Sequence, residues 1–160
     1  DRVLISGPNG IGKSTLLKSF LAGKGVVIHP DARIGYYSQD FSELDYEETV
    51  VESIESVAHD STDQEIFEAA GRFLLSGELM NSKVKMLSEG QKGLLCYARF
   101  MLQKPGLLIM DEPTNHINFR HLPVIAKAIS EYEGCLILVS HIKEFVEQVA
   151  PTDELDLTKF

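Results

Sequence analysis

Short apolar runs alternate with stretches of helical period along this chain, and that alternation predicts an α/β fold. Val3, Leu4, Ile5 and Ser6 read as a strand, followed by a glycine-rich loop over 7–12. A helix is predicted over 13–22, with Leu16, Leu17, Phe20 and Leu21 on its buried side and Gly23 and Gly25 closing it. Residues 26–29 and 33–37 read as two strands about a Pro30-Asp31 turn. From 47 to 80 the period is helical. Thr49, Val50, Ile54 and Val57 mark one amphipathic helix, and Ser61 followed by Glu65 marks the capped start of another. Ser88 opens a long helix that stops near Gln103, before Pro105-Gly106. The runs 107–110 and 135–139 are continuously apolar, as buried parallel strands are. Helices over 122–132 and 142–149 and an edge strand at 155–157 complete the pattern. The expectation is a mainly parallel sheet flanked by helices, built from 1–39 and 105–160 and interrupted by a helical subdomain over 40–104.

Composition narrows the partners more than the fold. The 160 residues suit about one domain, and a hydrophobic content of 44% can supply its core. A net charge of −9 argues against a surface that grips phosphate backbones broadly. Cys96 and Cys135 are isolated and lie among apolar neighbours, so both are expected to be buried free thiols, which suits a reducing, cytoplasmic compartment. Met80, Met86, Met101 and Met110 are expected to fill the core. The acidic run 43–48 is expected to be solvated surface. No apolar stretch is long enough to cross a bilayer, so no direct membrane insertion is expected. The chain begins directly on its first apolar strand, which points to a piece of a longer protein.

The chemistry starts in the first loop. Gly7-Pro8-Asn9-Gly10-Ile11-Gly12-Lys13-Ser14 fits the Walker A pattern, with a strand before it and a helix after it. Glycines let backbone N–H groups curl around phosphate oxygens, and the following helix adds the positive end of its dipole. Lys13 is expected to reach the β- and γ-phosphates, Ser14 to give its hydroxyl to Mg²⁺, and Thr15 to bond the α-phosphate. Asp111-Glu112 ends an apolar strand in two acids. Asp111 would hold the metal through water, and Glu112 would polarise the attacking water. Gln39 follows the strand 33–37 and is within reach of metal or water. His141 follows Cys135–Val139 and is placed to touch the γ-phosphate. His116, a lone loop histidine, reads as structural rather than as a metal ligand.

Leu87-Ser88-Glu89-Gly90-Gln91 resembles the Leu-Ser-Gly-Gly-Gln signature of ATP-binding-cassette proteins, and it stands where a long helix begins. With Walker A, Gln39, Walker B and His141 in the same order, the resemblance covers essentially the whole chain. It implies a P-loop NTPase core with an inserted helical subdomain, preceded in a complete cassette by antiparallel strands and by an adenine-stacking aromatic. Both are absent from this sequence. Tyr36 and Tyr37 read as packing residues instead. The resemblance also implies ATP and Mg²⁺ as ligands. It implies a second cassette, in the same chain or a homodimer, whose γ-phosphate meets Ser88, Gly90 and Gln91 of this one.

Asp111-Glu112-Pro113-Thr114-Asn115-His116-Ile117-Asn118 is similar to the corresponding stretch of the ABC-F family, as are the segments 72–78 and 35–39. That subfamily carries tandem cassettes without membrane spans, and many members act on the ribosome in translation or antibiotic resistance. The short interval between Gln39 and the signature favours a second cassette over a first. The nucleotide-binding subunit of a membrane transporter shares every catalytic motif, but usually carries Thr-Ser-Ala where this chain has Thr114-Asn115-His116. Three departures stand out: Glu89 for the first signature glycine, Asn118 for a terminal aspartate, and Ile142-Lys143 after the histidine. The first two leave open a module that holds ATP with little turnover. They also raise the expectation of an asymmetric pair.

Overall fold

The computed structural model describes residues 1–160. Five strands form one sheet: β1 (Arg2–Ser6), β2 (Ile34–Tyr37), β3 (Leu107–Asp111), β4 (Cys135–Val139) and β5 (Asp153–Asp156), in the order β2-β3-β4-β1-β5. Every pairing is parallel, with Tyr37 beside Met110, Asp111 beside Val139 and Ser6 beside Asp156. Six helices accompany the strands: α1 (Lys13–Leu21), α2 (Val50–Glu55), α3 (Asp63–Arg72), α4 (Glu89–Gln103), α5 (Leu122–Ser130) and α6 (Lys143–Val149).

Strand alternation sorts the sheet's apolar residues onto two faces. Leu108, Met110, Leu136 and Leu138 join a 27-residue buried cluster with α4, α5 and α6. The same cluster takes in Val50, Ile54, Ile66 and Phe73, so the helical stretch and the sheet share one continuous core. Ile5, Ile109 and Val139 face the other way and pack with Leu17 of α1. This parallel α/β arrangement is the one the apolar pattern predicts. It also brings the carboxyl ends of β1, β2, β3 and β4 to one edge, where open α/β sheets bind their ligands.

Local signals set the helix boundaries. Thr49 caps α2 and Thr62 caps α3, each in a reciprocal capping box with a glutamate at the third helical position. The cap of α3 is thus Thr62, one residue beyond the expected Ser61. Ser88 caps α4 in the same way, with Gln91 as its partner.

Several expectations are corrected. Residues 26–29 are not a strand: their only backbone hydrogen bond is the turn contact from Ala32 N to His29 O, at 2.9 Å. No ladder partner lies beside them, and Val27 is fully exposed. A β-rich composition does not make a strand without a neighbour to pair with. The edge strand is Asp153–Asp156 rather than 155–157. Cys96 is buried, but Cys135 is exposed, because it opens β4 directly after the Glu133-Gly134 turn. Met80 and Met110 fill the core, whereas Met86 and Met101 are exposed, one in a short 3-10 turn and the other on the open side of α4.

Candidate active site

The loop after β1 is shaped by glycine. Gly7, Gly10 and Gly12 have φ of 138°, 81° and 107°, backbone states that side chains disfavour. Gly12 is the N-cap of α1 and offers no side chain to it, so the helix's first N–H groups stay open toward the loop. Lys13 lies only 8% exposed, and its ammonium donates to Gly7 O at 2.8 Å and Pro8 O at 3.0 Å. The lysine is therefore folded into the hollow of its own loop. Ile11 packs against Gly7 from the other side, where its Cγ2 would stand 3.1 Å from a Cβ at that position.

Across the hollow stand the two acids. Asp111 ends β3, and Glu112 turns away from it with φ of 49°. That left-handed residue is held by its own N–H, which donates to Val139 O at 2.9 Å, and by Asn115 N, which donates to Glu112 O at 3.0 Å. Asp111 is 4% exposed and its Oδ1 has no partner. His141 Nε2 approaches Glu112 Oε1 to 2.8 Å. The two atoms are close but not aligned as a hydrogen bond, so Oε1 too is buried without a donor. Burial pushes the Glu112 carboxyl above its ordinary value of 4.5; His141 opposes the rise, Asp111 adds to it, and Lys13 opposes it.

These groups surround one cavity of about 260 Å³. Asn9, Gly10, Gly12, Lys13, Ser14 and Thr15 form one wall, and Gln39, Asp111, Glu112, Val139 and His141 the other. The structure thus brings together the loop, Gln39, both acids and His141 from four strand ends. Gly7, Pro8 and Ile11 shape the loop from behind. A larger cleft of about 580 Å³ is lined from the amino-terminal side of β3 and β4, by residues such as Pro105, Leu108 and Gly134, and contains none of these groups.

Ser88, Gly90 and Gln91 lie outside this cavity, at the start of α4. Ser88 Oγ accepts from Gln91 N at 3.2 Å, and Gln91 Oε1 accepts from Ser88 N at 2.9 Å. A Cβ at Gly90 would stand 2.9 Å from His116 O, so the turn after Glu112 passes too closely for any side chain there. Glu89, half exposed, pairs with Lys92 at 2.9 Å, and the Lys92 ammonium sits 4.9 Å from the Tyr46 ring centre. Sequence reading missed this neutralising partner, although an acid and a lysine three apart on a helix are its signal. It also missed the Tyr97 hydroxyl, which donates to Pro113 O at 3.0 Å and braces the turn after Glu112.

The family model described as ABC transporter matches residues 1–115. The chain belongs to that ATP-binding-cassette family. Members of its F subfamily recur among the relatives of this cassette. YbiT of Escherichia coli O157:H7, described as a probable ATP-binding protein, is 37% identical over 99% of the chain. The ATP-binding cassette sub-family F member 2 of Mus musculus is 38% identical over 93%. The cassette spans only 31% and 25% of the length of those two proteins. Among solved structures, an ATP-binding cassette determined as a dimer in a post-hydrolysis state with ADP and Pi superimposes with a TM-score of 0.74. It covers 92% of this chain and 78% of its own, at 20% identity, a likeness of fold. No helix of the cassette is long and apolar enough to cross a membrane.

Proposed function

We propose that this cassette binds and hydrolyses MgATP and acts as a conformational switch by closing against a second cassette. The observation that carries the reading is the cavity itself. A glycine loop with open helix N–H groups faces two buried carboxylate oxygens that lack partners, with His141 beside them.

The loop from Gly7 to Thr15 wraps the triphosphate, and Lys13 exchanges the carbonyls of Gly7 and Pro8 for phosphate oxygens. Asp111, Ser14 and Gln39 offer a carboxylate, a hydroxyl and an amide oxygen, the hard donors that suit Mg²⁺. The orphaned Oδ1 of Asp111 fits that ion. When bound, magnesium neutralises charge on the β- and γ-phosphates. Glu112 accepts the proton of the attacking water, and burial strengthens it as a base. His141 holds Glu112 from the far side and is half exposed toward the place where the γ-phosphate would sit.

The surface carrying Ser88, Gly90 and Gln91 is then free to meet the nucleotide of the other cassette. The stretch 40–104 serves as the helical subdomain that presents it, and 1–39 with 105–160 as the nucleotide-binding core. The dimeric state of the solved cassette supports this pairing. The relatives support membership of the F subfamily. From the resemblance of 111–118 to that subfamily we further propose a cytoplasmic role in ribosome function, in translation or antibiotic resistance.

The test is phosphate release by the intact protein that carries this cassette. Glu112→Gln is expected to abolish turnover by this site while MgATP still raises the melting temperature. Lys13→Ala should lose both effects. Unchanged turnover in the glutamine variant would remove Glu112 from the reaction.

A further inference from the structure

Two tyrosines stand side by side behind the site. Tyr37 ends β2 two residues before Gln39, and its ring centre lies 5.3 Å from that of Tyr97 on α4. The Tyr97 hydroxyl is satisfied by Pro113 O. The Tyr37 hydroxyl is not: the residue is 1% exposed and its oxygen has no hydrogen-bond partner. Burial raises the Tyr37 phenol far above its ordinary range, so the group remains a donor in search of an acceptor. Buried donors in folded proteins are nearly always paired, and an unpaired one calls for a physical explanation.

The surroundings supply one. A methyl group built on Gly93 would stand 2.7 Å from the Tyr37 hydroxyl and 2.7 Å from Ile117 Cδ1. One bare spot on α4, five residues after Ser88, therefore touches both the strand leading to Gln39 and the turn following Glu112. That turn holds a second buried hydroxyl without a partner, Thr114 Oγ1. It also contains His116, a non-glycine residue at φ of 67°. Gly93 thus sits between the orphaned Tyr37 hydroxyl and Ile117 of a strained turn that carries an orphaned hydroxyl of its own, where three motif-bearing elements converge.

We infer that Tyr37 is a positioning residue for ATP hydrolysis. Its hydroxyl finds its acceptor in the 113–117 turn when nucleotide closes the site, and so locks the Gln39 strand, the Ser88 helix and the Glu112 turn into one register. Gly93 is the gap through which that hydroxyl reaches. The inference rests on the proposed ATPase reading, and goes beyond it by naming a group that touches neither nucleotide nor water.

The experiment uses the intact protein and Tyr37→Phe. Its nucleotide-free melting temperature is expected to equal or exceed that of the wild type, because an unpaired buried hydroxyl is removed. KM for ATP should stay within about twofold, while kcat falls about two- to twelvefold, the worth of one net hydrogen bond in the closed state. Gly93→Ala should destabilise the wild type and be better tolerated in combination with Tyr37→Phe, since the hydroxyl that the methyl meets is gone. An unchanged kcat in Tyr37→Phe overturns the inference. So does a lower nucleotide-free melting temperature, which would mean that the hydroxyl is already paired at rest. A wild type that MgATP does not stabilise and that does not hydrolyse ATP removes the ATPase reading as well, which separates the two failures.

Discussion

Tyr97→Phe tests the bracing of the site by deleting a single oxygen. Tyr97 is 3% exposed, and its hydroxyl donates to Pro113 O at 3.0 Å from the middle of α4. Pro113 is buried, and no backbone N–H bonds to its carbonyl. The substitution therefore leaves a buried acceptor unpaired, at a cost of about 1–3 kcal/mol. For a domain of this size each kcal/mol moves the melting temperature by about 2–4 °C, so a fall of roughly 2–12 °C is expected. The neighbouring Tyr37→Phe should show no such fall. The two variants differ in whether the deleted hydroxyl has a partner, while ring size and burial are nearly matched.

The loss should reach the chemistry as well. Glu112 is held at φ of 49°, a state that costs a non-glycine residue of order 1–3 kcal/mol and persists only when its surroundings enforce it. Its tethers are the bonds from Glu112 N to Val139 O and from Asn115 N to Glu112 O, with the Tyr97 bond to the next carbonyl. Cutting the last one lets the turn relax and lowers kcat more than it changes KM for ATP. Thermal unfolding without nucleotide and steady-state phosphate release measure the two effects. A destabilisation below about 0.5 kcal/mol, the range of an inconsequential surface change, would refute the claim that this bond braces the turn.

Two further outcomes follow from burial. Glu112 has its folded-state pKa raised by burial, so its favourable protonated form is fully present below about 4.5, and stability is lost as pH rises through the raised value. In metal-free buffer, Glu112→Gln should thus melt higher than the wild type at pH 8 and nearly level with it at pH 4. A difference that does not grow with pH would contradict the assigned cause. Among the thiols, Cys135 is exposed, whereas Cys96 is buried with its pKa pushed up to about 12. A maleimide applied to the native protein should label Cys135 alone, and mass spectrometry of the labelled peptides reads the result.

The parts of the site that the sequence made legible are those that spacing encodes. A strand, three glycines needing positive φ, a lysine and a helix occur within a dozen residues, so local pattern suffices for 7–15. Asp111, Gln39 and His141 were legible because each follows an apolar run, and parallel strands carry the ends of such runs to one edge. Less accessible was anything decided by a neighbour distant in sequence. Residues 26–29 have strand composition but no ladder beside them. Met86 and Met101 have core composition but no element over them. The contact of Tyr37 with Gly93 joins residues on different elements, and no period along either one announces it. The orphaned hydroxyls belong to the same class, since hydrogen-bond satisfaction is a property of three-dimensional neighbours.

The departures in the signature bear on the same distinction. Glu89 stands where the signature it resembles has its first glycine, and a free carboxylate there would oppose an approaching γ-phosphate. The structure pairs it with Lys92 one turn on, and Lys92 rests in turn against Tyr46. An acid in the first turn of α4 also favours the helix dipole. With Glu89 half exposed the pair contributes little stability, but it leaves the local charge near zero. Asn118 likewise has a local task, since its side chain accepts from Arg120 N at 3.0 Å and caps the turn before α5. Both substitutions are thus absorbed by bonds within this chain and do not disturb the cavity that holds Asp111 and Glu112. The cavity around Lys13 keeps Ser14, Gln39, Asp111, Glu112 and His141, the groups the proposed hydrolysis uses, while the edge around Ser88 carries a balanced ion pair where the resembled signature has a glycine. Under the proposed pairing, a nucleotide brought to that edge by a second cassette would meet a neutral and bulkier surface, so the proposal expects unequal work by the two composite sites rather than loss of both.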